Sequence, residues 1–141
     1  MRILAFDYGT RSIGVAVSDE LRLTAQGVKV VTQSARVWEE IGELYEQYRP
    51  EVVVVGMPRN MDGSYGPSSE AARAFALELE ERFGCAVDFW DERLSTVGAQ
   101  RVLLEADLSR KKRKKVIDKM AAVFILQGYL AREENITRLK N

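Results

Sequence analysis

Histidine is absent from all 141 residues, which excludes Ser-His-Asp and Cys-His catalysis, imidazole acid–base chemistry and histidine metal sites together. Any chemistry must use carboxylates, Lys, Arg, Tyr or hydroxyls. Cysteine occurs once, as Cys85, so an internal disulfide and Cys-rich zinc or iron–sulfur sites are excluded as well. Cys85 is expected to be a small core residue. Long apolar runs are also missing: Val52–Val55 and Ala121–Leu126 fall far short of the roughly 18 residues of a membrane span. Asp7 interrupts the opening apolar run before a signal-peptide core can form, so a cytoplasmic protein without membrane association is expected. The length suits one domain, residues 1–141, able to bury roughly two thirds of the surface its unfolded chain exposes.

Charge is balanced overall, with 21 bases and 21 acids, but six of the bases stand together as Arg110-Lys111-Lys112-Arg113-Lys114-Lys115. The rest of the chain is therefore acidic, and the positive charge forms a local patch suited to a polyanion. Lys111, Lys112, Lys114 and Lys115 are candidate phosphate contacts on this ground.

The chain is organised around its start. In Arg2-Ile3-Leu4-Ala5-Phe6-Asp7-Tyr8-Gly9-Thr10 an unbroken apolar run, suited to a strand covered on both faces, ends in a carboxylate. Gly9 is expected to supply backbone freedom for a tight turn. Ligands of open α/β sheets gather outside strand ends, which makes Asp7 a candidate site residue; the competing assignment is a turn cap. Ile13–Ser18 and Val28–Val31 continue as strands, and the short spacing favours an antiparallel meander. Val37, Trp38, Ile41, Leu44, Tyr45 and Tyr48 then recur at helical spacing, with Ser34 a candidate N-cap and Pro50 a stop. Glu51–Gly56 has the β-branched, wholly apolar character of a central parallel strand. After the polar, Gly-rich stretch from Met57 to Pro67, Ala71, Ala72, Phe75, Ala76, Leu79 and Phe83 describe an amphipathic helix closed by Gly84. Ala86–Trp90 is a fifth strand running into Asp91-Glu92-Arg93. A helix carried by Val97, Val102, Leu103 and Ala106 precedes the basic run, and a last helix spans Val116–Arg132. The order suits an α/β fold of ribonuclease H-like type, a five-stranded mixed sheet flanked by helices.

Asp118 stands in line with Ala121, Ala122, Ile125 and Tyr129, the apolar face of the last helix, and an inward carboxylate is costly unless paired or bound to a metal. A role as an N-terminal helix acid, with Arg93 or a basic-run residue as partner, competes evenly with a ligand role. Asp7, Glu92 and Asp118 thus form a candidate set of acids from three elements. Such carboxylates can hold Mg²⁺ or Mn²⁺, the hard cations that serve phosphodiester hydrolysis without histidine. Asp91 is the alternative to Glu92, because side chains alternate at a strand end.

Four segments, in order, resemble the YqgF/RuvX family: Asp7-Tyr8-Gly9-Thr10-Arg11-Ser12-Ile13-Gly14-Val15-Ala16; Gly56-Met57-Pro58-Arg59-Asn60-Met61-Asp62-Gly63-Ser64 with Gly66-Pro67; Asp91-Glu92-Arg93-Leu94-Ser95-Thr96; and Ile117-Asp118-Lys119 with Ala121-Ala122, Ile125-Leu126-Gln127 and Tyr129-Leu130. The resemblance covers nearly the whole chain. It implies a ribonuclease H-like fold and a cytoplasmic, metal-dependent nuclease, acting on the 5′ end of pre-16S rRNA during ribosome biogenesis or on Holliday junctions, as a monomer or homodimer. Carried over by motif, Asp7, Glu92 and Asp118 would be catalytic and metal-binding. Thr10, Arg11, Arg59, Asn60 and Arg93 would contact substrate. This chain has Arg11 and Ser12 where the family often has two bases, which leaves one base fewer for phosphate, and Gly98 where it often has an acid.

Two rivals compete. Asp7-Tyr8-Gly9-Thr10 also resembles the phosphate-binding turn of the actin, hexokinase and sugar-kinase ATPases, which need a second such domain. A non-catalytic RNA-binding module would use the basic run and the polar loop while its acids pair with Lys and Arg.

Overall fold

The computed structural model describes residues 2–58, 66–91 and 119–133. Strands β1 (Ile3–Tyr8), β2 (Ser12–Ser18) and β3 (Ala25–Thr32) form the expected antiparallel meander. β3 begins earlier than its apolar stretch suggests. Val15 pairs with Lys29 while the adjacent Ala16 pairs with Gly27, so Val28 is an extra residue, and a bulge of this kind bends and twists the strand.

Helix α1 (Val37–Tyr48) follows. Ser34 is not its N-cap. The cap position is Arg36, without a side-chain cap bond. Ser34 instead closes a turn ahead of the helix, its carbonyl accepting from the Val37 N–H at 3.1 Å and its Oγ from the Arg36 N–H at 3.2 Å. The hydroxyl is thus spent on a donor outside the helix. At the other end Arg49 turns left-handed with φ 45° and its N–H donates to the Tyr45 carbonyl at 2.8 Å, a left-handed cap that closes the helix ahead of Pro50.

Strand β4 (Val52–Met57), helix α2 (Pro67–Phe83) and strand β5 (Ala86–Asp91) come next. Pro67 begins α2, where its missing N–H costs nothing, and Gly84 with φ 62° ends it. The sheet order is β3-β2-β1-β4-β5, with β4 parallel to both β1 and β5. The mixed five-stranded sheet expected from sequence is therefore present. Residues 119–133 form a further helix, α3, and among the described residues no helix is long and apolar enough to cross a membrane.

The sheet buries both faces. Leu4, Phe6, Val15, Val53, Val55 and Met57 pack with Ile41 and Leu44 of α1 and Phe75 and Leu79 of α2, and Cys85 joins this layer partly buried. Ile3, Ala5, Ala16, Val54 and Trp90 face Ala121, Ala122, Ile125, Leu126 and Tyr129 of α3. The inward face predicted for the last helix is the one observed. Each large side chain fully buried here contributes about 1.5–3 kcal/mol, and β1 supplies both layers from consecutive residues.

Close approach fixes α3 at two points. A Cβ at Gly128 would lie 2.8 Å from the Trp90 ring, and one at Gly27 would lie 2.7 Å from the Lys119 side chain. Farther along α3, the Tyr129 hydroxyl donates to Asp88 Oδ2 at 3.0 Å, and Glu133 joins Glu51 around Arg22, tying the helix to the β2–β3 turn.

Burial first, then the hydrogen bond to Asp88, holds the Tyr129 hydroxyl well above the ordinary tyrosine value of 10.0. The folded state therefore keeps this proton longer than the unfolded chain. The stability it contributes is full below pH 10 and is lost as pH rises toward the folded-state value. Tyr129→Phe is expected to flatten the alkaline fall of unfolding free energy by up to about 1.4 kcal/mol per pH unit. Denaturant melts at a series of alkaline pH values measure this; Tyr45, also raised by burial, is common to both proteins and cancels.

Candidate active site

The site is built from β1 outward. Side chains alternate along a strand, and Leu4 and Phe6 belong to the layer of α1 and α2 while Ile3 and Ala5 belong to that of α3. Asp7 shares the parity of Ile3 and Ala5. It therefore lies on the α3 face, half-buried, one residue before β1 ends. Its partner across β2 is Gly14, and on the other side Gly56 follows Val55, the partner of Phe6. Neither glycine puts a side chain beside the carboxylate.

The same parity gives the face of Asp91, the alternative to Glu92. Asp91 pairs with Met57 and has the phase of Val87 and Phe89, and Met57 and Val87 pack in the α1/α2 layer. Asp91 thus falls on the face opposite Asp7. Asp88 and Trp90 take the α3 face, where Asp88 is engaged by Tyr129.

The described start of α3 meets the sheet at β3. The Lys119 side chain lies over Gly27, which pairs with Ala16, which in turn pairs with Ala5. That rung is two residues from Asp7, about 7 Å along the strand. Small residues at all three positions allow the helix to descend there, and the lysine covers Gly27 with its apolar stem.

Thr10 and Arg11 are exposed at the tip of the β1–β2 turn, at the same sheet end as Asp7. Gly9 is needed there for space, not for the backbone freedom expected of it. Its φ is not positive, but a Cβ would stand 2.6 Å from the Ser12 carbonyl oxygen. Gln33 braces the turn from both sides: its backbone N–H donates to the Arg11 carbonyl at 2.9 Å, and its Nε2 donates to the Gly9 carbonyl at 3.0 Å. Nothing in the sequence singles out this glutamine, whose role depends on β3 lying beside the turn. Ser69 is similar. Its buried hydroxyl donates to the Pro58 carbonyl, tying the start of α2 to the residue after β4.

Glu92, Asp118, Arg59, Asn60, Arg93, Lys111, Lys112, Lys114 and Lys115 lie outside the described residues. Among the described residues no three acids, cysteines or histidines gather as a metal cluster. The described structure thus contains one of the three expected acids and two of the expected substrate contacts.

The family model described as RuvX, Holliday junction resolvase, matches residues 1–132. A protein of Desulfitobacterium hafniense is 58% identical over 130 residues, covering 92% of each chain. One from Clostridium beijerinckii is 52% identical, covering 92% of this chain and 96% of that one. Both carry the name "Putative pre-16S rRNA nuclease". Among solved structures, Thermus thermophilus RuvC aligns with a TM-score of 0.55 at 16% identity, covering 95% of this chain and 97% of that one. The fowlpox virus Holliday junction resolvase aligns with a TM-score of 0.52 at 17% identity, covering 94% and 99%. These likenesses establish the ribonuclease H-like fold. With a family match spanning nearly its whole length, the chain belongs to the RuvX (YqgF) family of Holliday junction resolvase-like nucleases.

Proposed function

We propose that this protein is a nuclease hydrolysing phosphodiester bonds at the 5′ end of a pre-16S rRNA, acting in the cytoplasm. The observation that carries the proposal is Asp7: a half-buried carboxylate presented on the α3 face at the end of a fully packed central strand, in a chain of this family. RNA is favoured over branched DNA because relatives at 52–58% identity are named for the rRNA. The family model carries the Holliday junction name, but the solved structures named for Holliday junctions are alike in fold only, at 16–17% identity.

Asp7, Glu92 and Asp118 would hold Mg²⁺ or Mn²⁺. The donor set fits hard cations, being oxygen alone in a chain without histidine. Two observations support the other two acids. Asp91, the alternative to Glu92, falls on the face opposite Asp7. Position 118 directly precedes Lys119, whose side chain covers Gly27, level with Ala5 two residues before Asp7. A divalent ion held by these acids supplies an activated water and relief of charge on the leaving oxygen. The chain's own residues do the positioning. β1 holds the Asp7 carboxylate rigid, the braced turn offers the Thr10 hydroxyl and the Arg11 guanidinium to flanking phosphates, and Arg59, Asn60, Arg93 and the basic run extend that grip.

Three tests follow. Asp7→Asn is expected to abolish cleavage of an rRNA precursor with the fold intact and thermal stability equal or higher, since clustered carboxylates repel without metal. Side-by-side assays with a four-way DNA junction, with Mg²⁺, Mn²⁺ or chelator, check substrate and metal together; cleavage by the variant at the parent rate would refute the role of Asp7. Asp118→Ala is expected to raise the metal concentration needed for activity without a stability loss. A loss of about 1 kcal/mol with unchanged metal demand would mark a helix-terminal role instead. Replacing Lys111, Lys112 and Lys114 by Gln is expected to flatten the salt dependence of binding by about 0.7 per lost contact on single strands and about 0.9 on duplex DNA. Turnover at saturation should hold. Binding isotherms at several salt concentrations decide this, and an unchanged slope would remove the run from the interface.

A further inference from the structure

On the opposite face from Asp7, but at the same end of the sheet, a cavity of about 190 Å³ opens between β1, α1 and α2. Its walls include Tyr8, Trp38 and Phe75, and its polar lining comes from Gln33 and Glu78. The three rings form one continuous aromatic surface. Phe75 lies 4.8 Å from Tyr8 and 5.4 Å from Trp38 between centroids, at tilts of 33° and 31°. Phe75 is buried while Tyr8 and Trp38 are half-exposed, so the surface is anchored in the core and open at its rim. The Arg82 guanidinium sits 4.5 Å over the Trp38 ring and donates to Glu78 at 2.8 Å, which holds the rim in place.

We propose that this cavity is a slot for one unpaired nucleobase of the bound nucleic acid. The inference rests on the nuclease reading and extends it to a specificity site. Size selects a small planar group, because the volume lies below the roughly 300–1,000 Å³ of pockets that take drug-sized molecules. Aromatic walls recognise the flat face of any base, and groups at the edge choose among bases. The Gln33 amide, with one N–H already committed to the Gly9 carbonyl, keeps its oxygen and second N–H for an edge. Glu78 only accepts, so a base bearing an amino group suits it better than uracil, whose carbonyls repel a carboxylate. Its pairing with Arg82 is solvent-exposed and contributes little that a ligand would have to displace. Position is the further argument. Tyr8 is the next residue after Asp7, and Gln33 both lines the slot and braces the turn that presents Thr10 and Arg11. A strand crossing this sheet end with its backbone on the turn can drop one base over the edge into the slot.

The test measures binding in an Asp7→Asn background, using short single-stranded RNAs in which each base in turn is replaced by an abasic ribose. One position should stand out, weakened about 5- to 150-fold as expected for loss of one stacked base. Trp38→Ala should weaken the intact RNA similarly yet leave the RNA abasic at that position unaffected, and Trp38→Phe should restore most of the affinity. Glu78→Gln should reduce the preference for amino-bearing bases over uracil at that position alone. Trp38→Ala and abasic losses that simply add at every position would overturn the slot while leaving cleavage by the parent protein standing. A parent that neither binds nor cuts RNA would overturn both readings.

Discussion

The structure depends on the burial of β1 from both sides. A strand with antiparallel β2 on one edge, parallel β4 on the other and helices over each face has no freedom to slip, because a shift of one residue would exchange its two buried faces. Ile3 and Ala5 on one face and Leu4 and Phe6 on the other are almost wholly inaccessible to solvent. Asp7 is the first residue past that lock. The packed strand therefore fixes where its backbone, and with it the carboxylate, is delivered on the α3 face.

Small residues set where the second layer meets the first. Gly27, Ala16 and Ala5 form one rung across three strands, and α3 comes down upon it with Lys119, Ala121 and Ala122. At the far strand the pattern reverses: the large side chain, Trp90, belongs to the sheet and the small one, Gly128, to the helix. Trp90 Nε1 has no hydrogen-bond partner among the described residues, an accepted cost of that close fit. The helix crosses the sheet from β3 toward β5.

The two faces of the sheet divide the proposed work. Carboxylate chemistry belongs to the α3 face and base recognition to the α1/α2 face, with the β1–β2 turn between them. Gln33 links the two, since it donates to the Gly9 carbonyl and lines the aromatic slot. Net neutrality of the chain does not oppose nucleic-acid binding, because charges act locally and solvent screens the more distant ones.

Much of this was legible in the residues alone. Helical spacing pointed to α1, α2 and the inward face of α3, unbroken or β-branched apolar runs pointed to the strands, and the order of the elements pointed to the mixed sheet. The absence of histidine and the acid ending β1 pointed to carboxylate chemistry for a similar reason: residue type restricts reaction type before any fold is known. What only tertiary structure decided involves neighbours brought from elsewhere in the chain. Ser34 has the composition of a cap, but its hydroxyl is turned to Arg36 outside the helix. Gly9 was legible as a turn residue, yet its reason is the Ser12 carbonyl folded back against it. The face of Asp91 emerged only once its pairing with Met57 gave the strand a phase relative to both layers. Gln33, Trp38 and Glu78 meet at one cavity from separate elements, and no local pattern encodes such a meeting, since side-chain alternation is a property of one segment while a site is a property of several packed together.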